Sequence, residues 1–233
     1  MRGASRTAQY VALFRALESV RPPEERLFED PLARTCLDGR LGRVADLARV
    51  PGIERTRVFE VEHPETQAAK RERVRERFGA DAPHVAYVPV DFDCQDLATE
   101  LAAAGLQDGA RTFFVLEGVI SYLTADAVDA TFRTVAGSGR PGSQIAFTYL
   151  HRGVIDGSRE IPGSGQAQDR VAAAGEPWRF GFDPAEVPGY LAARGLELIE
   201  DVSPAEAAPR YVRAEHRPAA AFYRLCRAGI VRK

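Results

Sequence analysis

Apolar residues return at helical spacing near the start of the chain. Val11, Phe14, Leu17 and Val20 fall on one face behind a Ser5 or Thr7 cap, which predicts an amphipathic helix over residues 7–20. Arg21-Pro22-Pro23 ends it, because proline removes a donor and disfavours helix in the residue before it, and Phe28-Glu29-Asp30-Pro31 opens a shorter helical run. Residues 1–50 therefore read as an N-terminal helical cap. Val58-Phe59-Glu60-Val61 then predicts a strand, and Pro64, Glu65 in the first turn and Gly79 at the far end frame a helix.

The rest of the chain alternates in the same way. Strands are predicted at Val85 to Val90, Thr112 to Leu116, Gln144 to Tyr149, Leu196 to Ile199 and Ala221 to Leu225. Helices are predicted at Leu97 to Ala104, Ala125 to Ala136 and from Asp183-Pro184 to Arg194. Thr112-Phe113-Phe114-Val115-Leu116 is continuously apolar, the pattern of a parallel strand buried on both faces. Residues 152–182 are rich in Gly, Ser and charge with little periodicity, and read as a loop or lid segment. The whole predicts one α/β domain over residues 1–233: a mostly parallel sheet with helices on both faces and an antiparallel last pair of strands at its edge.

Composition narrows the function. Thirty-one Lys and Arg against 33 Asp and Glu leave a formal charge of -2, which gives no electrostatic case for nucleic acid. No window is apolar for long enough to span a membrane, and no apolar run follows Arg2 and Arg6, so a cytoplasmic location is expected. Cys36, Cys94 and Cys226 sit in no Cys-x-x-Cys or Cys/His spacing, and His63, His84, His151 and His216 are dispersed, so no metal site is expected. The basic stretch Lys70 to Arg77 reads as the solvated face of a helix.

In parallel sheets ligands bind beyond the carboxyl ends of the strands. Three such ends carry acids in order: Glu62, Asp91 followed by Phe92, and Glu117 followed by Gly118. A carboxylate there can accept both hydroxyls of a ribose, and an Asp-aromatic pair can hold an adenine by a hydrogen bond and a ring face. Acids at strand ends also serve as helix caps, so each is ambiguous alone. His151 follows the Gln144 strand and is a candidate base. Trp178 and Phe180 could line an apolar pocket or pack the loop onto the body.

These motifs resemble a known family. Ser5-Arg6-Thr7-Ala8, Arg15-Ala16-Leu17-Glu18-Ser19, Leu27-Phe28-Glu29-Asp30-Pro31, Val58 to Pro64 with Gln67 and Lys70, and Leu116-Glu117-Gly118-Val119-Ile120-Ser121-Tyr122-Leu123 are similar to those of the leucine carboxyl methyltransferase-like family. Gly175-Glu176-Pro177-Trp178-Arg179-Phe180-Gly181 and Leu196 to Asp201 extend the likeness. The resemblance implies a Rossmann-like, class I methyltransferase sheet with S-adenosylmethionine as cofactor. It implies that Arg15 pairs with the cofactor's carboxylate, Glu62 binds its ribose, and Asp91 and Phe92 face the adenine. Glu117, Gly118 and Tyr122 would border the methionine end, with Tyr122 a second candidate for the chemistry.

One departure accompanies the agreements. The family pattern places a helix, a central strand and a glycine-rich loop before the Val-Phe-Glu-Val strand, whereas here Leu47 to Gly52 lead almost directly to Arg57-Val58. The sheet is thus expected to lack its central first strand. Either the Val58 strand pairs directly with the Phe113 strand, or a second chain supplies the neighbour as a homodimer. Two functional readings follow. One is an O-methyltransferase acting on a carboxylate or hydroxyl of a small, polyketide-like acceptor. The other is a cofactor-free relative that has lost methyl transfer and acts as a binding partner or as catalyst of another pathway step.

Overall fold

The structure is a computed structural model that describes residues 57–81, 83–211 and 221–231. The N-terminal helical cap, Arg15, Cys36 and the run Leu41 to Val50 lie outside the described residues. Two compact units divide at Asp91 and Phe92.

The first unit holds strand β1 (Val58–Glu62), helix α1 (Pro64–Phe78) and strand β2 (Val85–Pro89). Proline opens α1 and Gly79 closes it in a left-handed conformation, φ 79°, its N–H returning to the carbonyl of Arg75. β1 and β2 pair in parallel, Val58 opposite Val85 and Glu62 opposite Pro89. Three basic residues of α1 are engaged within this unit. Arg71 and Arg75 both reach Asp81 at 2.6 Å, and Lys70 pairs with Glu60.

The second unit contains α2 (Leu97–Ala103), β3 (Phe113–Leu116), α3 (Ala125–Ser138), β4 (Gln144–Leu150), α4 (Arg152–Ile155), α5 (Ser164–Ala173), α6 (Val187–Ala192), β5 (Leu196–Val202), α7 (Pro204–Tyr211) and β6 (Tyr223–Ile230). Its sheet runs β3-β4-β6-β5, with β3 parallel to β4 and β6 antiparallel to both neighbours. The antiparallel last strand is therefore interior, and β5 forms the edge where the final pair was expected to lie. One face of the sheet packs on α3 and α6 through Phe132, Val135, Ile145, Phe147, Tyr149 and Leu191. Phe132 is the hub. Its ring meets Phe147, Tyr190 and Phe182 edge to face at 5.0, 5.6 and 6.3 Å.

Two expectations are corrected. Residues 152–182 hold two helices, α4 and α5, in place of a loop. β3 is not buried on both faces: Phe114 and Leu116 pack on the core, but Phe113 and Val115 are 60% and 62% exposed. Within the first unit β1 pairs with β2, and within the second β3 pairs with β4. An apolar parallel strand is covered on both faces only where packed elements lie on each side, and described elements cover one side of β3.

Candidate functional site

In the first unit, the parallel register sets Glu62 beside the exit of β2. The N–H of Val90 donates to the Glu62 carbonyl at 2.9 Å, so Glu62 and the Val90-Asp91 step leave the sheet together. Glu60, two residues earlier, is spent on Gln67 and Lys70. The Glu62 carboxylate instead accepts from the backbone N–H of its neighbour His63 at 3.1 Å. Burial pushes its pKa above the usual carboxylate range, Glu60 adds to the rise, and the His63 hydrogen bond and Lys70 oppose it. A half-buried carboxylate at a strand end is a ready acceptor for hydroxyl donors.

In the second unit, Glu117 and Gly118 follow β3 directly. Gly118 takes φ 68°, a left-handed turn glycine adopts without penalty, and its N–H donates to the Thr148 hydroxyl on β4 at 2.9 Å. A short 3-10 turn, Ile120–Tyr122, carries the chain over the sheet's carboxyl end. The Tyr122 hydroxyl accepts from the indole N–H of Trp178 at 3.3 Å. Phe92 is partly buried, packed against the main core.

His151 follows β4 and caps α4. Its Nδ1 accepts from the Gly153 N–H at 3.0 Å, and Arg159 lies 3.0 Å from Nε2. A neutral imidazole has one acceptor nitrogen, so two donors compete for it. Burial, then the charge of Arg159, hold the ring's pKa below its ordinary value. The depressed pKa favours the neutral ring and both nitrogens face donors, an arrangement that serves capping ahead of proton abstraction.

The sequence-predicted residues thus fall in two sets. Glu62 and Asp91 lie at the exits of β1 and β2, and Glu117, Gly118, Tyr122 and His151 lie at the exits of β3 and β4. Trp178 is buried with Leu150, Val154 and Phe222, so it packs the segment onto the body. The sequence reading missed Arg179, whose Nη1 lies 3.2 and 3.1 Å from the two carboxylate oxygens of Asp93. Among the described residues no cluster of His, Cys, Asp and Glu could hold a metal ion, and no helix is long and apolar enough to cross a membrane.

Comparison with known proteins adds a second line. Residues 37–136 match the family described as Leucine carboxyl methyltransferase. The chain is 29% identical over 157 residues to YktD of Bacillus subtilis (strain 168), named as an S-adenosyl-L-methionine-dependent methyltransferase; this spans 67% of the chain and 51% of YktD. A Parafrankia protein of the same name class, Franean1_4929, is 27% identical over 249 residues, spanning 83% of this chain and 76% of its own length. The chain thus spans about half the length of the first of these relatives. The match of 249 residues exceeds the chain's 233, so the Parafrankia relative carries internal residues without counterpart here. An O-methyltransferase family protein from Burkholderia thailandensis superposes with TM-score 0.48 and 13% identity over 73% of this chain and 42% of that one, a likeness too slight to speak for function.

Proposed function

We propose that this chain is a leucine carboxyl methyltransferase-like S-adenosylmethionine-dependent methyltransferase that methylates a carboxylate or hydroxyl of a small molecule, with a polyketide-type acid or phenol as the acceptor class. The observation that carries the reading is Glu62. It is a half-buried carboxylate with a raised pKa, aligned by the parallel register with the Val90-Asp91 exit. A carboxylate perturbed by burial at a strand end is a candidate ligand group.

The chemistry of these residues fits the adenosine part of the cofactor. Glu62 would accept both ribose hydroxyls, and two such bonds contribute on the order of 3 kcal/mol, about a hundredfold in affinity. Asp91 and the ring of Phe92 would hold the adenine, and Arg15 the terminal carboxylate. Bound S-adenosylmethionine would supply the electrophilic methyl group. Glu117, Gly118 and Tyr122 would border the methionine end of the cofactor, and an acceptor carboxylate needs no base, so orientation supplies most of the acceleration. Should the acceptor be a hydroxyl, Tyr122 and, once released from one of its two donors, His151 are the candidate groups at the strand exits.

The test is transfer of label from methyl-labelled S-adenosylmethionine to a panel of small carboxylic acids and phenols, followed by mild base. Base-labile label marks a methyl ester and base-stable label an ether. Absence of acceptor-dependent label from both classes contradicts the proposal.

A second reading, a cofactor-free derivative that binds a partner or catalyses another step, is favoured by one observation. The internal residues of the Parafrankia relative are missing here, and no glycine-rich loop precedes Val58. Losing those contacts would remove several kcal/mol of binding, each ~1.4 kcal/mol being about tenfold.

A further inference from the structure

The segment from Trp178 to Phe182 is tied to two strand exits of the second unit at once. On one side the N–H groups of Arg179 and Phe180 donate to the Ser121 carbonyl at 2.7 and 3.3 Å, and the Trp178 indole reaches Tyr122. On the other, the Phe182 N–H donates to Leu150 at 3.0 Å and the Arg152 N–H to Phe182 at 2.8 Å. Gly181 makes this approach possible. A Cβ there would lie 2.7 Å from the Leu150 carbonyl oxygen and 3.0 Å from the Arg152 Cα, backbone that has no room to yield. The segment therefore lies across the carboxyl ends of β3 and β4, the side on which parallel sheets bind ligands.

From this fixed backbone Arg179 reaches Asp93, its Nη1 sharing both carboxylate oxygens. Asp93 directly follows Phe92, whose ring rests on the core of the same unit. Phe92 is thereby held from two sides, by apolar contact at its ring and by an ion pair one residue on. Both partners of that pair are well exposed, so it contributes little to global stability. Its geometric effect is larger, because the arginine starts from a backbone position already fixed by Ser121 and its reach is not free.

We propose that Arg179 is a positioning residue for Phe92: through Asp93 it sets the Phe92 turn against the Ser121-Tyr122 exit. The inference rests on the methyltransferase reading, in which Phe92 presents a ring face to the adenine. Trp178 is the only tryptophan in the chain and is adjacent to Arg179, so its fluorescence reports on the segment directly.

The experiment compares the full chain with Arg179→Gln, Asp93→Asn and the charge-exchanged pair Asp93→Arg with Arg179→Asp. S-adenosylhomocysteine affinity is measured by calorimetry, and Trp178 accessibility by acrylamide quenching with and without that ligand. The single variants should bind about three- to fivefold more weakly, with unchanged melting temperature, and the exchanged pair should recover most of the loss. The ligand should shield Trp178 in the parent chain and less so in Arg179→Gln. Equal affinity for parent and Arg179→Gln overturns the inference while leaving the methyltransferase reading intact. A loss that follows a fall in melting temperature and is not recovered by the exchange also overturns it, as the mark of a structural role alone. Silence from the parent chain sinks the methyltransferase reading itself, and the inference with it.

Discussion

Glu62 keeps its carboxylate within 3.1 Å of the backbone N–H of His63, a bond that offsets only part of the cost of its burial. The folded-state pKa lies above the unfolded value, so folding is favoured while the group is protonated. That contribution is present below the unfolded pKa and is lost as pH rises through the folded one. Glu62→Gln should therefore raise the melting temperature at pH 7 and leave it unchanged near pH 4. A substitution that destabilises at pH 7 would show Glu62 to be a structural partner and not a group held for a ligand.

His151 has the opposite linkage. Its folded pKa is depressed, so the unfolded chain binds more protons and stability falls as pH drops below the ordinary imidazole value of about 6.5. The ring should titrate below that value by NMR. His151→Asn, which keeps an acceptor for the Gly153 N–H, should flatten the acid limb of the stability curve. A midpoint at or above 6.5 would contradict the donor-crowded environment described here.

Phe132 is fully buried among Phe147, Phe182 and Tyr190. Phe132→Ala should cost about 3–5 kcal/mol in denaturant unfolding, the range for truncating a packed aromatic core residue. A loss under 1 kcal/mol would mean that this cluster does not organise the unit.

The two faces of β3 should respond differently. Phe113→Lys and Val115→Lys replace exposed side chains and should leave stability within about 0.5 kcal/mol, whereas Phe114→Ala opens the core and should cost several kcal/mol. Strong destabilisation by Val115→Lys would show that its outward face is covered.

Elements with strong local punctuation were legible from sequence, and those defined by distant contacts were not. Pro64 and Gly79 framed α1 because both act through the backbone alone. Helix α7 went unpredicted, although the same kind of local signal precedes it. Ser203 and Glu206 form a reciprocal capping box, with the Ser203 N–H donating to Glu206 at 2.7 Å and the Glu206 N–H to Ser203 at 3.2 Å, and the Ser-x-x-Glu spacing announces it. α5 escaped notice because Ser164–Ala173 carries few large apolar residues. β6 was placed too early and too short, since its inward positions Cys226 and Ala228 carry small groups that write a weak alternation ahead of Ile230. The strand-end acids were legible as a class, because position after a strand is local information. The Arg179–Asp93 clasp joins residues 86 positions apart, and the Tyr149–Asp201–Arg224 network tying β4, β5 and β6 is equally non-local. The β3 run misled for a related reason: an apolar strand records what a neighbour would bury, not whether that neighbour is there.

The most direct test of the account is calorimetric titration of the chain with S-adenosylhomocysteine, repeated on Glu62→Ala. Saturable binding by the parent chain, weakened about a hundredfold or more in the variant, is the predicted result. Absence of heat from the parent chain up to millimolar ligand, or equal affinity in both proteins, would contradict it.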